Sequence, residues 1–456
     1  MTTTNSDSRR LILLEFNELC PDLIDKFIGE GILPNFKRLR DAADTFVTHT
    51  NEAILEPWIQ WVTVHTGVPL AEHGIVDLDE ASKLRHATFW EERADQNVLL
   101  ISPMNVNFKH TQGSVFLPDP WAASQSPSEE ISPLHAFIRF AVGNHARSDS
   151  LQSTSTFAAL RFLLTHGLSG DSIAATVKQL WDERFSSGKS KWRRATILDR
   201  LLWDVFAHFW RSSQQPKIGV FFSNATAHYQ HKYWWHYEPS AFSNKPDQTE
   251  VEHYGNAIRF GYQAHDRIIG KAMALSGEDT VLALCSALSQ QPMRDYEERG
   301  GKAMFIPKDY RALLQLLGAP VGRTEPLMAE ECWLHYPTSS EAREAFERLS
   351  AARTNKGAVV LKTRSLGERS FIIGCNLFVS EVDDDTLILG ADGKMARFLD
   401  HFSRMETVTS AKHHPDGLLW LKRPQVKGER RAERLPLTLV RKTLEQALNS
   451  GAAMNQ

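Results

Sequence analysis

Leu11-Ile-Leu-Leu-Glu-Phe-Asn-Glu18 is a short apolar run that ends in polar residues, the pattern of a buried strand delivering side chains to the rim of a sheet. Alternation along it puts Glu15 and Asn17 on one face. Cys20-Pro-Asp-Leu-Ile-Asp-Lys-Phe-Ile28 follows with a proline in its first turn, which predicts a helix, and after Gly29 and Gly31 the stretch Leu33-Pro-Asn-Phe36 opens another. Strand followed by helix is the rhythm of an α/β fold.

The same rhythm returns along the chain. Val98-Leu-Leu-Ile-Ser-Pro-Met-Asn105, Ile218-Gly-Val-Phe-Phe-Ser-Asn-Ala225 and Thr280-Val-Leu-Ala-Leu-Cys-Ser286 are further buried-strand candidates. Each ends in small or polar residues, where open parallel sheets place their sites. Glu56-Pro-Trp-Ile-Gln-Trp-Val-Thr-Val-His-Thr-Gly67 reads as a helix with Pro57 at its first position, Gly67 as its stop and Glu56 at its positive end. Between residues 125 and 215 the text is helical (Ser132 to Val142, Ser155 to His166, Asp171 to Phe185, Arg193 to Trp210), which predicts a helical insertion. Residues 301–384 read as a smaller α+β lobe, with helices at Pro307 to Leu317 and Ser340 to Arg353 and strands at Gly357 to Lys362 and Ser370 to Phe378. The core is then 1–124, 216–300 and 385–456, and it closes with an amphipathic helix, Pro436 to Leu448, after a solvated charged loop, Lys427 to Arg434.

A chain of 456 residues, 42% hydrophobic and 23% charged, is too long for a small stapled scaffold and too apolar for global disorder. Lys plus Arg at 52 against Asp plus Glu at 55 leaves −3, which supplies no overall electrostatic footprint for nucleic acid or anionic lipid, so an anionic substrate must be held by a local site. Cys20, Cys285, Cys332 and Cys375 form no Cys-x-x-Cys spacing and no disulfide framework, which fits a reducing compartment. No stretch approaches the roughly 18 apolar residues of a membrane span, and the polar start, Met1 to Arg10, precedes too short an apolar run for a signal peptide. A soluble cytoplasmic protein is expected. The 18 histidines are the residues with the most chemistry to offer.

Several segments, in order, resemble the alkaline phosphatase superfamily, in its type I phosphodiesterase and nucleotide pyrophosphatase branch. The first strand and Leu33-Pro-Asn-Phe36 are similar to the family's opening, and Thr66-Gly67 with His73-Gly74-Ile75 to its "TG…HGI" segment, the most specific match. Ser102-Pro-Met-Asn105 and Phe116-Leu-Pro-Asp-Pro120 fall at its next strand end and Pro-rich loop. Asn224 to Trp234 resembles "TxTDxxQHxxW", with Tyr262 to Asp266 on the helix after it; Ser286-Ala-Leu-Ser289 falls at "SDHG", and His413-His-Pro-Asp-Gly417 at "HxPDG". The resemblance implies an alkaline-phosphatase-like central sheet flanked by helices, and a site of two divalent metals, usually zinc, with a Thr or Ser nucleophile. Carried over residue by residue, His231 and His413 are the matching ligands of one metal, while the accompanying Asp is Ala227. At the other metal Asn17 replaces an Asp, and Ala287 and Leu288 replace an Asp-His pair. Alanine and leucine offer no lone pair, so the usual two-metal site is not expected to form. At the place of the nucleophile stands Leu55-Glu56-Pro57-Trp58, with Glu56 two residues out of register.

A carboxylate at a helix start keeps its charge easily and is a poor general acid; Glu56 is a candidate metal ligand, nucleophile or N-cap. Asn17 and Glu18 either cap the helix near Pro21 or join Glu15 in a replacement polar cluster. His228 and His231, three apart, share a helical face and with His413 offer three imidazoles, enough for one metal with an open position; otherwise His228 is a polar residue on an aromatic segment. His65 reaches the cleft or is a satisfied core histidine, and His73 belongs to a structural His-Gly turn. Trp58 and Trp61 are core, or stack on a sugar or base, and Asn105 completes the substrate-binding candidates. Cys285 is a conceivable nucleophile, without an obvious base nearby.

Two functions are therefore expected. The first is a divergent hydrolase or transferase of phosphate or related esters with Glu56, Glu15 and Asn17 at its centre, using one divalent metal, zinc foremost, or none. The Glu-Phe-Asn-Glu and Glu-Pro-Trp-Ile-Gln-Trp variants resemble a subgroup tied to bacterial surface polysaccharides, which implies a phosphorylated glycan or lipid-linked sugar. The second is a catalytically inactive pseudoenzyme that binds an anionic ligand or protein partner through the old cleft.

Overall fold

The computed structural model describes residues 9–449 apart from 79, 94–95, 110, 123, 145–152, 187–189, 213, 300–302, 327–330, 366, 392 and 406–408. The polar start, residues 1–8, lies outside the described residues, as do 145–152 and 187–189 of the helical insertion.

An eight-stranded mixed sheet forms the centre. Its strands are β1 (Arg10–Phe16), β2 (Asp44–His49), β3 (Val98–Ile101), β4 (Val115–Leu117), β5 (Ile218–Ser223) and β6 (Thr280–Ser286), then β9 (Asp416–Lys422) and β10 (Leu435–Pro436), in the order β10-β2-β9-β6-β1-β5-β3-β4. A two-stranded ribbon, β7 (Ser289–Pro292) with β8 (Ala411–His414), stands beside it. β1 lies between β5 and β6, parallel to both, so its apolar residues are covered on both faces and need no polar alternation. β9 runs antiparallel between β2 and β6. Its proximity to β6 leaves no room for a side chain at Gly417, whose Cβ would collide with the Ser286 carbonyl.

Helices cover both faces. α1 (Pro21–Gly29) and α2 (Pro34–Ala42) start at prolines as predicted. α3 (Pro57–Thr66) stops at Gly67, whose φ of 73° is open to glycine without strain. α4 (Ala195–Trp210), α5 (Ala225–Tyr237) and α6 (Ala257–Leu275) pack on one face, and α7 (Val440–Asn449) joins α3 on the other. The predicted insertion is thus not all insertion. Its last helix, α4, is part of the sheet's cover, with Phe206 and Trp210 pressed so closely on Gly219 that a Cβ there would lie 2.8 Å and 2.9 Å from their rings.

A separate apolar cluster runs from Phe305 to Phe402 around a four-stranded antiparallel sheet. It extends past the expected limit of 384 because Ile388, Phe398 and Phe402 are buried in it. Its edge strand is Leu361–Ser365 rather than Gly357 to Lys362. The chain rejoins the core through β8, whose His413 stands opposite Gln290 of β7. Among the described residues, no helix is long and apolar enough to cross a membrane.

Candidate functional site

β1 ends at Phe16, and the next residues turn sharply: Glu18 takes a φ of 59°. That left-handed conformation is unfavourable for a side chain with a Cβ, by on the order of 1–3 kcal/mol, and persists only where surrounding contacts enforce it. Here they are dense. Gln230 of α5 donates its amide to the Glu18 carbonyl at 2.6 Å and accepts from the Tyr262 hydroxyl at 2.9 Å. Asn17 donates to Glu18 Oε1 at 2.8 Å and to Asn224 at 2.8 Å, while its own oxygen accepts from the Trp61 indole at 2.9 Å. Gln290 donates to Glu18 Oε2 and, at 3.2 Å, to the Ala227 carbonyl. Turn and contacts together aim a buried carboxylate at two imidazoles.

Those imidazoles are His231 on α5 and His413 on β8. His231 Nε2 lies 3.0 Å from Glu18 Oε2 and His413 Nε2 lies 3.5 Å from Glu18 Oε1. The three side chains place one ligand atom each within 4.8 Å of one another. Burial works against charge on Glu18, yet His413 and His231 hold its carboxyl far below the usual carboxylate range. Burial likewise opposes the imidazolium of His413, but Glu18, and after it Glu56, hold that ring above the ordinary histidine value. Glu56 precedes α3 without capping it by its side chain, and its carboxylate lies 3.8 Å from His413 Nδ1 at the partly exposed edge of the cluster.

The donor set fits one divalent cation. A metal-ligating histidine characteristically donates its other ring N–H to a carbonyl, and His231 Nδ1 lies 3.1 Å from the Ala411 carbonyl, which leaves the Nε2 lone pair on the Glu18 side. A carboxylate and two imidazoles are three protein ligands, the number that leaves a zinc-type ion an open position. A second ion does not fit beside it: Asn17 is committed to Glu18, Asn224 and Trp61, and Ala287 and Leu288 are buried and apolar where its other ligands would be needed, while Ala227 leaves the first ion without the carboxylate that Glu18 supplies instead.

The remaining candidates fall elsewhere. Asn17 and Glu56 do adjoin the trio. Glu15 and His65, expected at the cleft, instead face each other inside the sheet–helix layer, 2.8 Å apart and 0% and 1% exposed, because Glu15 still belongs to the strand and points under α3. Glu15 Oε2 and His65 Nδ1 have no hydrogen-bond partner there. Trp61 is fully buried and touches the site through its hydrogen bond to Asn17. Asn105, also buried, ties the carbonyls of Trp58 and Asp77 together at 3.3 Å and 3.0 Å, and the Trp58 indole donates to Val76 at 3.0 Å. His228 is half-buried on α5 and outside the trio. His73 accepts the Ile75 N–H at 3.1 Å, and burial, with His86 adding to it, pushes it down to about 4, as suits a turn-holding neutral ring. Cys285 is fully buried, its thiol pushed well up by burial and then by Glu15.

The sequence reading offered Glu18 either as a cap of the helix near Pro21 or as a member of a polar cluster with Glu15 and Asn17; it does not cap α1, which starts from Cys20 without a side-chain cap, and its carboxylate meets Asn17, His231 and His413 but not Glu15. Gln230 and Gln290 were not among the candidates, although Gln230 falls within the segment similar to "TxTDxxQHxxW" and Gln290 directly follows the one that falls at "SDHG".

Residues 11–355 match the model of the type I phosphodiesterase / nucleotide pyrophosphatase family. Among solved structures, the chain is similar to phosphonoacetate hydrolase from Sinorhizobium meliloti 1021 in complex with phosphonoacetate, at 14% identity over 97% of this chain and 96% of that one, with a TM-score of 0.45. It is similar to an inactive form of murine ectonucleotide pyrophosphatase / phosphodiesterase 5 in complex with AMP, at 10% identity over 98% and 97%, with a TM-score of 0.39. A mutant of the alkaline phosphatase PafA gives 11%, 96% and 96%, and 0.43. No curated protein sequence matches. The family model spans most of the chain and takes in β1, α5 and two of the trio, Glu18 and His231. The chain belongs to the type I phosphodiesterase / nucleotide pyrophosphatase family.

Proposed function

We propose that this chain hydrolyses or transfers a phosphate ester at a single divalent-metal centre held by Glu18, His231 and His413. The observation that carries the reading is the convergence of those ligand atoms within 4.8 Å, at a turn that strains Glu18 to achieve it. A bound divalent ion would polarise a phosphoryl oxygen and offset its charge. Asn17 and Gln290 hold the Glu18 carboxylate in place, and the Ala411 carbonyl fixes the His231 ring.

Glu56 stands near the place where the family has a hydroxyl nucleophile and serves instead as a general base. Its carboxylate, beside His413 and at the positive end of α3, accepts the proton of the attacking water or acceptor hydroxyl as the P–O bond to the leaving alcohol breaks, and that alcohol takes its proton from water. The reading extends to a phosphorylated glycan or lipid-linked sugar as substrate, supported by the resemblance of the Glu56 and Glu15 segments alone. It extends also to a cytoplasmic setting, supported by four free, buried cysteines.

Glu56→Gln keeps the shape and removes the base, so kcat on generic phosphomonoester or phosphodiester substrates is expected to fall about 10²–10⁴-fold with metal content unchanged. The apolar burial of Ala227, Ala287 and Leu288 favours the alternative, a pseudoenzyme binding an anionic ligand in the same cleft. Metal-loaded protein without turnover on either substrate class would establish that alternative over catalysis.

A further inference from the structure

Beneath the metal trio, four buried polar side chains form one continuous run of hydrogen bonds. Ser223, at the end of β5, donates to Asp199 of α4 at 2.5 Å. A hydroxyl has one proton to give, so Ser223 accepts from His265 of α6, whose Nε2 lies 2.7 Å away, and this places a proton on Nε2. The other ring nitrogen, Nδ1, meets the hydroxyl of Thr226, in the first turn of α5, at 2.5 Å. All four residues are buried, so water does not compete for these bonds, and removing one member leaves its neighbour unpaired in the interior.

The run lies where the two arms of the metal site join the rest of the molecule. The His265 ring stacks on Phe16, the last residue of β1, with centroids 4.1 Å apart, just before the turn that presents Glu18. Its Nδ1 holds Thr226, which lies one helical turn before Gln230, the residue that grips the Glu18 carbonyl, and His231 follows at once. α6 is a firm support for both contacts: Asp266, the next residue, accepts from the Asn35 and Phe36 N–H groups at 2.8 Å each and ties the helix to α2. α5 depends on such a tie, because its N-cap, Asn224, makes no side-chain cap bond and accepts from Asn17 instead. Small rotations matter here. An imidazole about 6 Å from a helix axis moves roughly 2 Å when the helix turns by about 20°, which is a full metal–ligand bond length.

We propose that His265 is a positioning residue of the metal site: bonded to Thr226 and stacked on Phe16, it sets the rotation of α5 against the end of β1 so that His231 and Glu18 converge. Among the described residues, no hydrogen bond or ring contact joins it to Glu18, His231 or His413, so it acts through the two elements that carry the first two. Ser223 and Asp199 orient its ring. The consequence for metal binding rests on the metal centre proposed above, whereas the geometric part concerns only the His231–Glu18 contact.

Thr226→Val keeps the volume and removes the hydroxyl, and Thr226→Ser keeps the hydroxyl. Crystal structures of the metal-free proteins and zinc titration of the same samples read the two consequences separately. In Thr226→Val the His231–Glu18 contact, 3.0 Å in the parent chain, is expected to open beyond about 4 Å and zinc affinity to fall at least tenfold, with both recovered in Thr226→Ser. Should Thr226→Val fail to fold, Ser223→Ala, which frees the ring from its other side, is expected to give the same two changes. A folded variant with the parent contact and affinity, or a loss in Thr226→Ser equal to that in Thr226→Val, would overturn the proposal and leave His265 a support of the fold alone. A parent chain that binds no zinc would overturn the single-cation centre instead, and the contact in the metal-free crystals would then decide the role of His265 by itself.

Discussion

Glu15 and Glu18 stand three residues apart at one end of β1, each against histidine, and their surroundings differ in every respect that matters for chemistry. Glu15 is still in the ladder, between Cys285 and Phe222, so its side chain enters the layer beneath α3 and pairs with His65. Glu18 is past the ladder, in a turn, so it reaches the rim where α5 and the β7–β8 ribbon deliver His231 and His413. The first pair is sealed by Trp61 and Trp90, with rings 6.0 Å and 4.9 Å from His65. The second has polar support on each carboxylate oxygen and a further carboxylate, Glu56, at its edge. Three residues of chain convert an internal polar contact into a convergent ligand set, and what makes the difference is the end of the strand.

Breaking the sealed pair is expected to have the larger effect on stability. His65→Leu leaves Glu15 buried without its partner and should destabilise the fold by about 3–5 kcal/mol, read by denaturant unfolding, whereas E15M/H65L should recover most of that loss. Neither change should alter metal content, since neither residue reaches the trio. A double variant as unstable as the single one would mean that the pair is an integral support of the site.

The open cluster should show itself more gently, through pH. In metal-stripped protein, Glu18 is held below its ordinary value, so its contribution is present above the unfolded carboxylate pKa of ~4.3 and is lost as pH falls toward the depressed folded value. His413 is held above its ordinary value, so its contribution is full below the unfolded pKa of ~6.5 and is lost as pH rises through the raised one. Tm of the stripped protein is therefore expected to peak between those limits and to flatten above them in Glu18→Gln. A Tm profile in Glu18→Gln identical to wild type would remove the electrostatic account.

Much of the core was legible in sequence because its signals are local. The run Leu11 to Phe16, prolines at the starts of α1 to α3 and Gly67 after α3 declare strands and helices through propensity and capping alone. The site was legible where a motif carried it, at His231 and His413. What stayed hidden depends on tertiary placement. The sharp turn at Glu18 is enforced by Gln230 and Tyr262 from other segments, so no local residue preference announces it. β9 was not recognised, since Asp416–Lys422 reads as a strand only once β2 and β6 flank it. α4 was assigned to the insertion because composition does not reveal that Phe206 and Trp210 meet Gly219.

The central claim is a single cation held by Glu18, His231 and His413. Native mass spectrometry of the chain titrated with zinc, alongside Glu18→Gln, tests it most directly. One tightly held ion per wild-type chain, with affinity at least tenfold weaker in Glu18→Gln, is the predicted result. Two ions per chain, or one ion bound equally well by Glu18→Gln, would contradict it.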